Sequence, residues 1–508
     1  MKNFYISTSI PYVNGEPHIG HSLEFIQADV VARYNRLLGK DVFFVSGTDE
    51  NSLKNVQSAN KDGKDVKDFV DEYSQKFQDL VKDLDISVDD FIRTTEDRHF
   101  KGAQKLWETL NKDDIYKKKY KGLYCVGCEA FYNEDELEDG KCPEHKKEPE
   151  VIEEENYFFK LSKYADKIKE LLNSKELQII PENRKNEALS FIEKGLEDFS
   201  ISRSIERAHG WGVPVPNDKS QIMYVWVDAL SNYINALGFA EDSQKYKDFW
   251  IQEGQDREVL HTLGKGISRF HVLYWIGLLL SAKIPLPTQE FIHGYITING
   301  EKISKSLGNV IAPKELVERY GADATRFYLL GAVSSFQDGD FSFDKCDEYY
   351  TAHLVNGIGN LTSRVLTMAE KYTKNLVPAV KYDVFDTENF WVDYKKAIEN
   401  FDFQRAVKQI NSLTAKVDGY ISEQKPWEKA KAGEDVSGTV YQLLEVLRHL
   451  AVALLPIIPS TAKQILVQLD IEKEDLNFEQ ETAWGLLKPQ SEIKKGKILF
   501  PRLERLAD

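Results

Sequence analysis

The first 48 residues carry a pattern that a parallel sheet accommodates and other folds do not. Phe4–Ser9 is a short β run that ends in a loop containing Pro11, Asn14 and Gly15. From His21 to Leu38 the apolar residues Leu23, Ile26, Val30, Tyr34 and Leu37 recur at helical spacing, and Gly39 follows in the position favoured just past a helix end. Val42–Val45 is then a second apolar run, bounded by Gly47, Thr48 and Asp49. Strand, helix and strand in about 45 residues make a βαβ unit, because parallel neighbours need a long crossover.

A second α/β stretch spans Met223 to about Ile298. Between the two, near Ile115, the composition changes: a basic run KKKYKG, clustered cysteines and an acidic run EPEVIEEEN follow without long periodicity, as in a small inserted module. From Glu348 onward the pattern is helical, with Leu354, Ile358, Leu361, Val365 and Met368 on one face and Val440, Leu443, Leu444, Leu447, Leu450 and Ala451 on another. Pro456 and Pro459 punctuate that last helix. A chain of 508 residues divides into about three domains at roughly 150 residues each.

Two motifs sit where phosphate chemistry would need them. PHIGH, Pro17–His21, lies between the first strand and the first helix. A helix N-terminus offers unpaired N–H groups and a partial positive charge to an anion. His18 and His21 share one side of that turn, and Gly20 permits close approach of a nucleotide. KISKS, Lys302–Ser306, follows a strand-like run, Phe291–Ile298, and a hairpin signal, Asn299-Gly300. Its loop presents Lys302, Ser304, Lys305 and Ser306 before a helix that opens at Pro313 and ends at Gly321. Taken singly, the first motif is also what two ordinary helix-entry histidines look like, and the second a solvated basic loop. Together, one after each α/β half, they point to ATP-dependent activation of a carboxylic acid, with His18, Gly20 and His21 on the phosphates and the lysines on the leaving pyrophosphate.

Charge and cysteine usage bound the alternatives. A formal net charge of −16 disfavours a non-specific nucleic-acid coat but leaves room for a local basic patch. Four cysteines, three of them clustered, are no disulfide framework and fit a reducing compartment. The N-terminal stretch lacks a signal-like apolar core, and the best apolar run, Val272–Leu280, is far short of the ~20 residues of a membrane span. The expectation is a cytoplasmic protein without membrane contact. Cys125-x2-Cys128 and Cys142-x2-His145, separated by 13 residues, have the spacing of a tetrahedral site with three thiolates and one imidazole. Four protein ligands suit one structural zinc ion; reduced cysteines without metal are the alternative.

The motif pair resembles the signature of class I aminoacyl-tRNA synthetases. SIPYVNGEPHIGH, DDFIRTTEDRH, YVWVDALSNYINALG, KGISRFH and HGYITINGEKISKSLGN are, in that order, similar to the methionine-specific family, and the likeness runs over essentially the whole chain. It implies an α/β fold: a Rossmann-type parallel-sheet catalytic domain (1–115 and 216–295) split by a connective insertion with a zinc knuckle (116–215), then a KISKS linker domain (296–347) and an α-helical anticodon-binding bundle (348–508). It also implies ATP, as its magnesium complex, L-methionine and tRNA with a CAU anticodon as substrates, a monomer, and no post-transfer editing domain.

The resemblance places the methionine pocket at Ile10, Tyr12, Asp49, Trp226, Ala229, Leu230, Tyr233, Ile267 and His271. Those residue types suit the task, since a thioether wants an apolar, polarisable pocket with aromatic edges and an ammonium wants a carboxylate. Asn360, Arg364 and Trp427 match the anticodon-reading positions, where an indole can stack a splayed-out base. The chain departs from the family pattern at Asn51 and Ser52, where TDEHG is usual, and at Gly266, where GKD is usual.

Overall fold

The computed structural model describes residues 2–144, 146–174, 176–252, 257–303, 308–379, 383–472 and 476–503, with the side chains of Ala130 and Lys302 outside that description. The expected βαβ opening is present: strand Asn3–Thr8, helix Ile19–Leu37 and strand Asp41–Thr48. Gly39 has φ +78°, the left-handed conformation that closes the helix.

These strands are central to a six-stranded sheet in the order Asp90–Arg93, Asp41–Thr48, Asn3–Thr8, Glu258–Gly264, Gln289–His293, Gln178–Ile180, parallel throughout. Alternate residues feed two cores. Phe4, Ile6, Phe44, Leu260 and Phe291 pack on the side of the first helix, whereas Tyr5, Val45, Val259, Leu263 and Ile292 face Trp226, Tyr233, Trp250 and Trp275. Both faces are covered, so the strands read as nearly continuous apolar runs, as a parallel sheet requires. Each large side chain sealed there contributes roughly 1.5–3 kcal/mol by its removal from water.

The edge strand Gln178–Ile180 lies inside the span expected as the insertion, yet it pairs with Gln289–Phe291 in the catalytic sheet. The insertion's own antiparallel sheet runs Ala130–Tyr132, Ile115–Cys125, Glu150–Phe159, Phe199–Ser200. Its long ribbon explains the two charged runs in the sequence: Lys119 stands opposite Glu155 and Lys121 opposite Glu153. Opposite charges on facing strands favour this register over its neighbours.

Asn299 and Gly300 both have positive φ, +52° and +78°, and turn Ile296–Ile298 into the short strand Glu301–Lys302. This is the two-residue hairpin that Asn-Gly favours. Helix Pro313–Tyr320 begins on its proline as expected. The bundle contains helices Asn360–Thr373, Thr387–Glu399, Phe403–Gln424, Ser437–Leu454 and Pro459–Gln468. The periodic run Leu354–Met368 is helical in two pieces, because Gly357 leaves helical geometry (φ −90°, ψ −108°) and bends the chain before Asn360. The core on the first helix's side continues without a break into this bundle.

Candidate active site

Ligands of open α/β sheets bind beyond the carboxyl ends of the strands, where neighbouring crossovers diverge. Here that crevice opens beyond Thr8 and Gly264, at the ends of two adjacent parallel strands. The loop after the first strand carries PHIGH. Backbone Ile19 N–H donates to Ile311 O across 3.2 Å, so the segment just after KISKS is stitched to the start of the PHIGH helix. Ile303, from within KISKS, lines a cavity together with His18 and His21. The two motifs, nearly 300 residues apart in sequence, therefore meet. Ser304, Lys305, Ser306 and the Lys302 side chain lie outside the described residues.

His18 caps the helix. Its Nδ1 accepts from Gly20 N–H at 3.1 Å, and His21 Nδ1 accepts from His18 N–H at 3.1 Å. The rings stack 3.8 Å apart and 17° from parallel. Because both Nδ1 atoms are acceptors, the neutral rings carry their protons on Nε2. Two N–H donors side by side suit adjacent oxygens of a phosphate. A Cβ at Gly20 would lie 3.0 Å from the His18 ring, tighter than side chains normally tolerate.

A cavity of about 310 Å³ adjoins this pair, and all nine expected pocket residues line it. Trp226 stacks on Phe270 (3.8 Å, 7°) and meets Tyr12 edge-on at 6.3 Å. Ile10, Ala229, Leu230 and Ile267 supply aliphatic wall. His271 Nδ1 lies 3.0 Å from Ile267 O and its Nε2 2.6 Å from Tyr233 Oη. A carbonyl only accepts, so Nδ1 is protonated and Tyr233 donates to Nε2. Burial lowers His271 to about 4, which keeps the imidazole neutral. Both ring nitrogens are thereby engaged within the protein.

Asp49 is at the opposite end in chemical character. It is 2% exposed, and burial, followed by repulsion from Asp228, pushes its carboxyl well above the usual range. A buried carboxyl of this kind is a site for a cation. The departures from the family pattern are explained around it. Asn51 Nδ2 bridges Asp228 Oδ2 (2.8 Å) and Thr94 O (2.9 Å), while Asn51 N–H donates to Asp49 Oδ1 (3.2 Å). Ser52 caps helix Leu53–Lys61 through Asn55 N–H.

A second cavity, about 270 Å³, shares His18, His21 and Ile267 with the first and adds Glu24, His293 and Tyr295. Glu24 Oε2 is 2.9 Å from His293 Nε2, and Glu24 Oε1 accepts from Ser9 N–H at 2.8 Å. A Cβ at Gly266 would stand 1.8 Å from Tyr295 Oη, so the tyrosine fills the space where the family pattern has an aspartate side chain. Sequence reasoning missed these residues, although His293 and Tyr295 stand inside the quoted stretch HGYITING. It also missed Lys54, whose Nζ lies 4.8 Å from the Tyr12 ring centre.

The Cys125, Cys128 and Cys142 sulfurs lie within 4.8 Å of one another, with Cys128 and Cys142 3.4 Å apart, and none is in a disulfide. The Cys125 thiol, and then burial, push Cys128 well above its ordinary range, so a thiolate cluster there needs a compensating cation. The donor set fits zinc, whose Zn–S bonds are about 2.3 Å. His145, the expected fourth ligand, lies outside the described residues.

In the bundle, Asn360 is exposed, Trp427 is 44% exposed, and Arg364 pairs with Asp418 at 2.5 Å. No described helix is long and apolar enough to cross a membrane.

A split parallel sheet, a histidine pair at a helix N-terminus, a lysine-bearing hairpin stitched against it and an amino-acid-sized pocket between them define a class I aminoacyl-tRNA synthetase. The family model for class I tRNA synthetases (M) matches residues 4–150 and 134–366, and that for the anticodon-binding domain of methionyl tRNA ligase matches 383–506. The methionine–tRNA ligase of Thermotoga maritima is 39% identical over 99% of this chain and 80% of its own length. Methionyl-tRNA synthetase of Mycobacterium tuberculosis in complex with methionyl-adenylate superposes with a TM-score of 0.91, at 35% identity, covering 99% of this chain and 100% of that one. Its apo form gives 0.84, at 33% identity, covering 99% of each. The chain belongs to the methionyl-tRNA synthetase family.

Proposed function

We propose that the chain activates L-methionine with ATP to methionyl-adenylate and transfers the methionyl group to the 3′-terminal adenosine of tRNA. One observation carries this most directly: a buried carboxyl, Asp49, and an aromatic pocket share one cavity whose rim is the stacked His18–His21 pair. Asp49 holds the ammonium, which leaves the substrate carboxylate toward the histidines. The thioether lies among Tyr12, Trp226 and Tyr233. The carboxylate oxygen attacks the α-phosphorus of magnesium-bound ATP, the P–O bond to the β-phosphate breaks, and pyrophosphate leaves. No protein base is needed, because a carboxylate is already ionised at neutral pH. His18 and His21 donate from Nε2 as charge spreads onto the phosphate oxygens, and Lys302 and Lys305, with Ser304 and Ser306, hold the departing pyrophosphate.

The second step is attack of a terminal ribose hydroxyl on the adenylate carbonyl, with AMP leaving. Asn360, Arg364 and Trp427 read the CAU anticodon of elongator and initiator tRNA. Cys125, Cys128, Cys142 and His145 hold one zinc ion, which cross-links the insertion and takes no part in the chemistry. Methionine-dependent ATP–pyrophosphate exchange, compared across methionine, leucine, isoleucine and cysteine, followed by charging of CAU tRNA, tests the whole reading. Folded protein that exchanges with none of these would refute it.

A further inference from the structure

The two ends of the methionine pocket come from separate segments. Asp49, at the ammonium end, follows the strand Asp41–Thr48. Trp226, Ala229 and Leu230, at the thioether end, lie on helix Val225–Leu230. Local sequence does not fix how far apart these segments stand.

A buried polar chain spans the gap between them. Asn51, two residues past Asp49, donates from Nδ2 to Asp228 Oδ2 (2.8 Å) and to Thr94 O (2.9 Å). Asp228 is on the same helix as Trp226, Ala229 and Leu230. Its other oxygen, Oδ1, bonds His99 Nε2 on helix Asp97–Thr109. Asn51, Thr94, His99 and Asp228 are all buried. The helix that carries the thioether wall is thus pinned to the ammonium loop and braced from behind by His99. The brace is closely packed: a Cβ at Gly102, on the His99 helix, would stand 1.9 Å from Asn235 Oδ1.

The chemistry of Asn51 suits this place. Both groups it faces are acceptors, and a carboxamide nitrogen supplies two N–H donors from one point. The histidine of the family pattern could donate only one from each ring nitrogen. At the other end, Asp49 is held through its backbone: its N–H donates to Pro11 O (2.9 Å), and its carbonyl accepts from Asn55 Nδ2 (2.9 Å). Asn51 N–H, in turn, donates to Asp49 Oδ1 (3.2 Å). Moving the helix away from the loop would take a donor from two buried acceptors, a cost that favours one spacing.

We propose that Asn51, engaged by Asp228 and Thr94, is a positioning residue that fixes the distance between the ammonium and thioether ends of the pocket, and so selects amino acids by side-chain length. This rests on the assignment of that cavity to methionine.

The test compares Asn51→Leu, Asn51→Ala and Asp228→Asn in the full chain. ATP–pyrophosphate exchange is measured with methionine, with S-methylcysteine, one methylene shorter, and with ethionine, one methylene longer. A single methylene is worth about 10- to 200-fold in a close-fitting apolar pocket. Asn51→Leu keeps the volume, removes both donors, and should narrow the preference for methionine over both analogues roughly five- to tenfold, with the ATP KM unchanged. Asn51→Ala should do the same, and it decides the matter if the leucine variant does not fold. Asp228→Asn keeps an acceptor for Asn51 and should hold both ratios within about twofold of the unaltered protein, whatever the change in the methionine KM. The proposal is overturned if a folded Asn51 variant keeps both ratios, as it would were the network only structural or felt only by the ammonium. It is also overturned if Asp228→Asn loses as much discrimination as Asn51→Leu. Absence of methionine-dependent exchange in the unaltered protein would instead overturn the pocket assignment itself.

Discussion

Arg326 Nη2 lies 2.7 Å from Asp29 Oδ2, and both side chains are completely buried. Asp29 is on the PHIGH helix, and Arg326 is on helix Ala322–Gly331. The same guanidinium donates to Ile457 O (2.8 Å), Pro456 O (3.1 Å) and Leu84 O (3.1 Å). One side chain thus ties the catalytic helix to the turn between two bundle helices, where Pro456 and Pro459 punctuate the sequence.

Arg326→Met should destabilise the protein by about 3–5 kcal/mol, because it removes one of the two guanidinium partners of buried Asp29 and leaves it Arg33 and the hydrogen bonds from Ser87. Adding Asp29→Asn should recover part of that loss, measured by denaturant unfolding. Burial works against ionised Asp29, but Arg326 and then Arg33 hold its carboxyl below the ordinary value. The stabilisation is therefore present above the unfolded-state pKa of about 4 and lost as pH falls through the lower folded value. In the double variant that part of the acid-side loss should disappear.

Asp49→Asn should raise the methionine KM roughly 30- to 1,000-fold in exchange, since it removes one partner of a buried charge pair. Asp49 has the opposite linkage to Asp29. Its folded pKa is raised, so its ionisation costs the ligand-free protein stability as pH climbs from about 4 toward that raised value. The asparagine variant should consequently be more stable without ligand at neutral pH, by thermal unfolding, while binding methionine poorly. A variant that binds normally would remove Asp49 from ammonium recognition.

Lys305→Ala should lower the adenylation rate by about two to three orders of magnitude with little change in methionine affinity, as expected of a group that acts on charge developing in the transition state. Single-turnover kinetics separate the two constants. An unchanged rate would exclude Lys305 from the mechanism.

Trp427→Ala should cost charging of CAU tRNA about 10- to 100-fold, the value of one lost base stack, and leave exchange without tRNA untouched. An effect on both reactions would mean that the indole supports the bundle rather than the anticodon.

Elemental analysis of purified protein should find about one zinc per chain, and Cys142→Ser should release it. Folded protein that carries none would refute the assignment.

Much of the site was legible along the chain because it is built from local signals. A strand, a capped helix and a glycine stop place His18 and His21 wherever that unit folds, and Asn299-Gly300 dictates its hairpin. The pocket residues were readable through their likeness to a family. Less was legible where a residue acts on a partner far away in sequence. Gln178–Ile180 is three residues long and carries no sign that it will join the catalytic sheet. Asp228 looks like any surface acid on a helix until His99 and Asn51 close on it, and nothing near Gly266 announces that Tyr295 will fill its space.

The sequence by itself determined the chemistry available: a phosphate-facing helix start, lysines on a loop, an aromatic set for a thioether, thiols at zinc spacing and a helical tail. Those depend on residue types and short-range periodicity, which do not change with the rest of the fold. Only the tertiary structure decided which of these groups meet. Ile19 N–H bonded to Ile311 O, Arg326 on Asp29, and Asn51 between Asp228 and Thr94 each join segments distant in the chain. The physical reason is that burial raises the cost of every unpaired polar group, so partners are set by which strands and helices the core brings together.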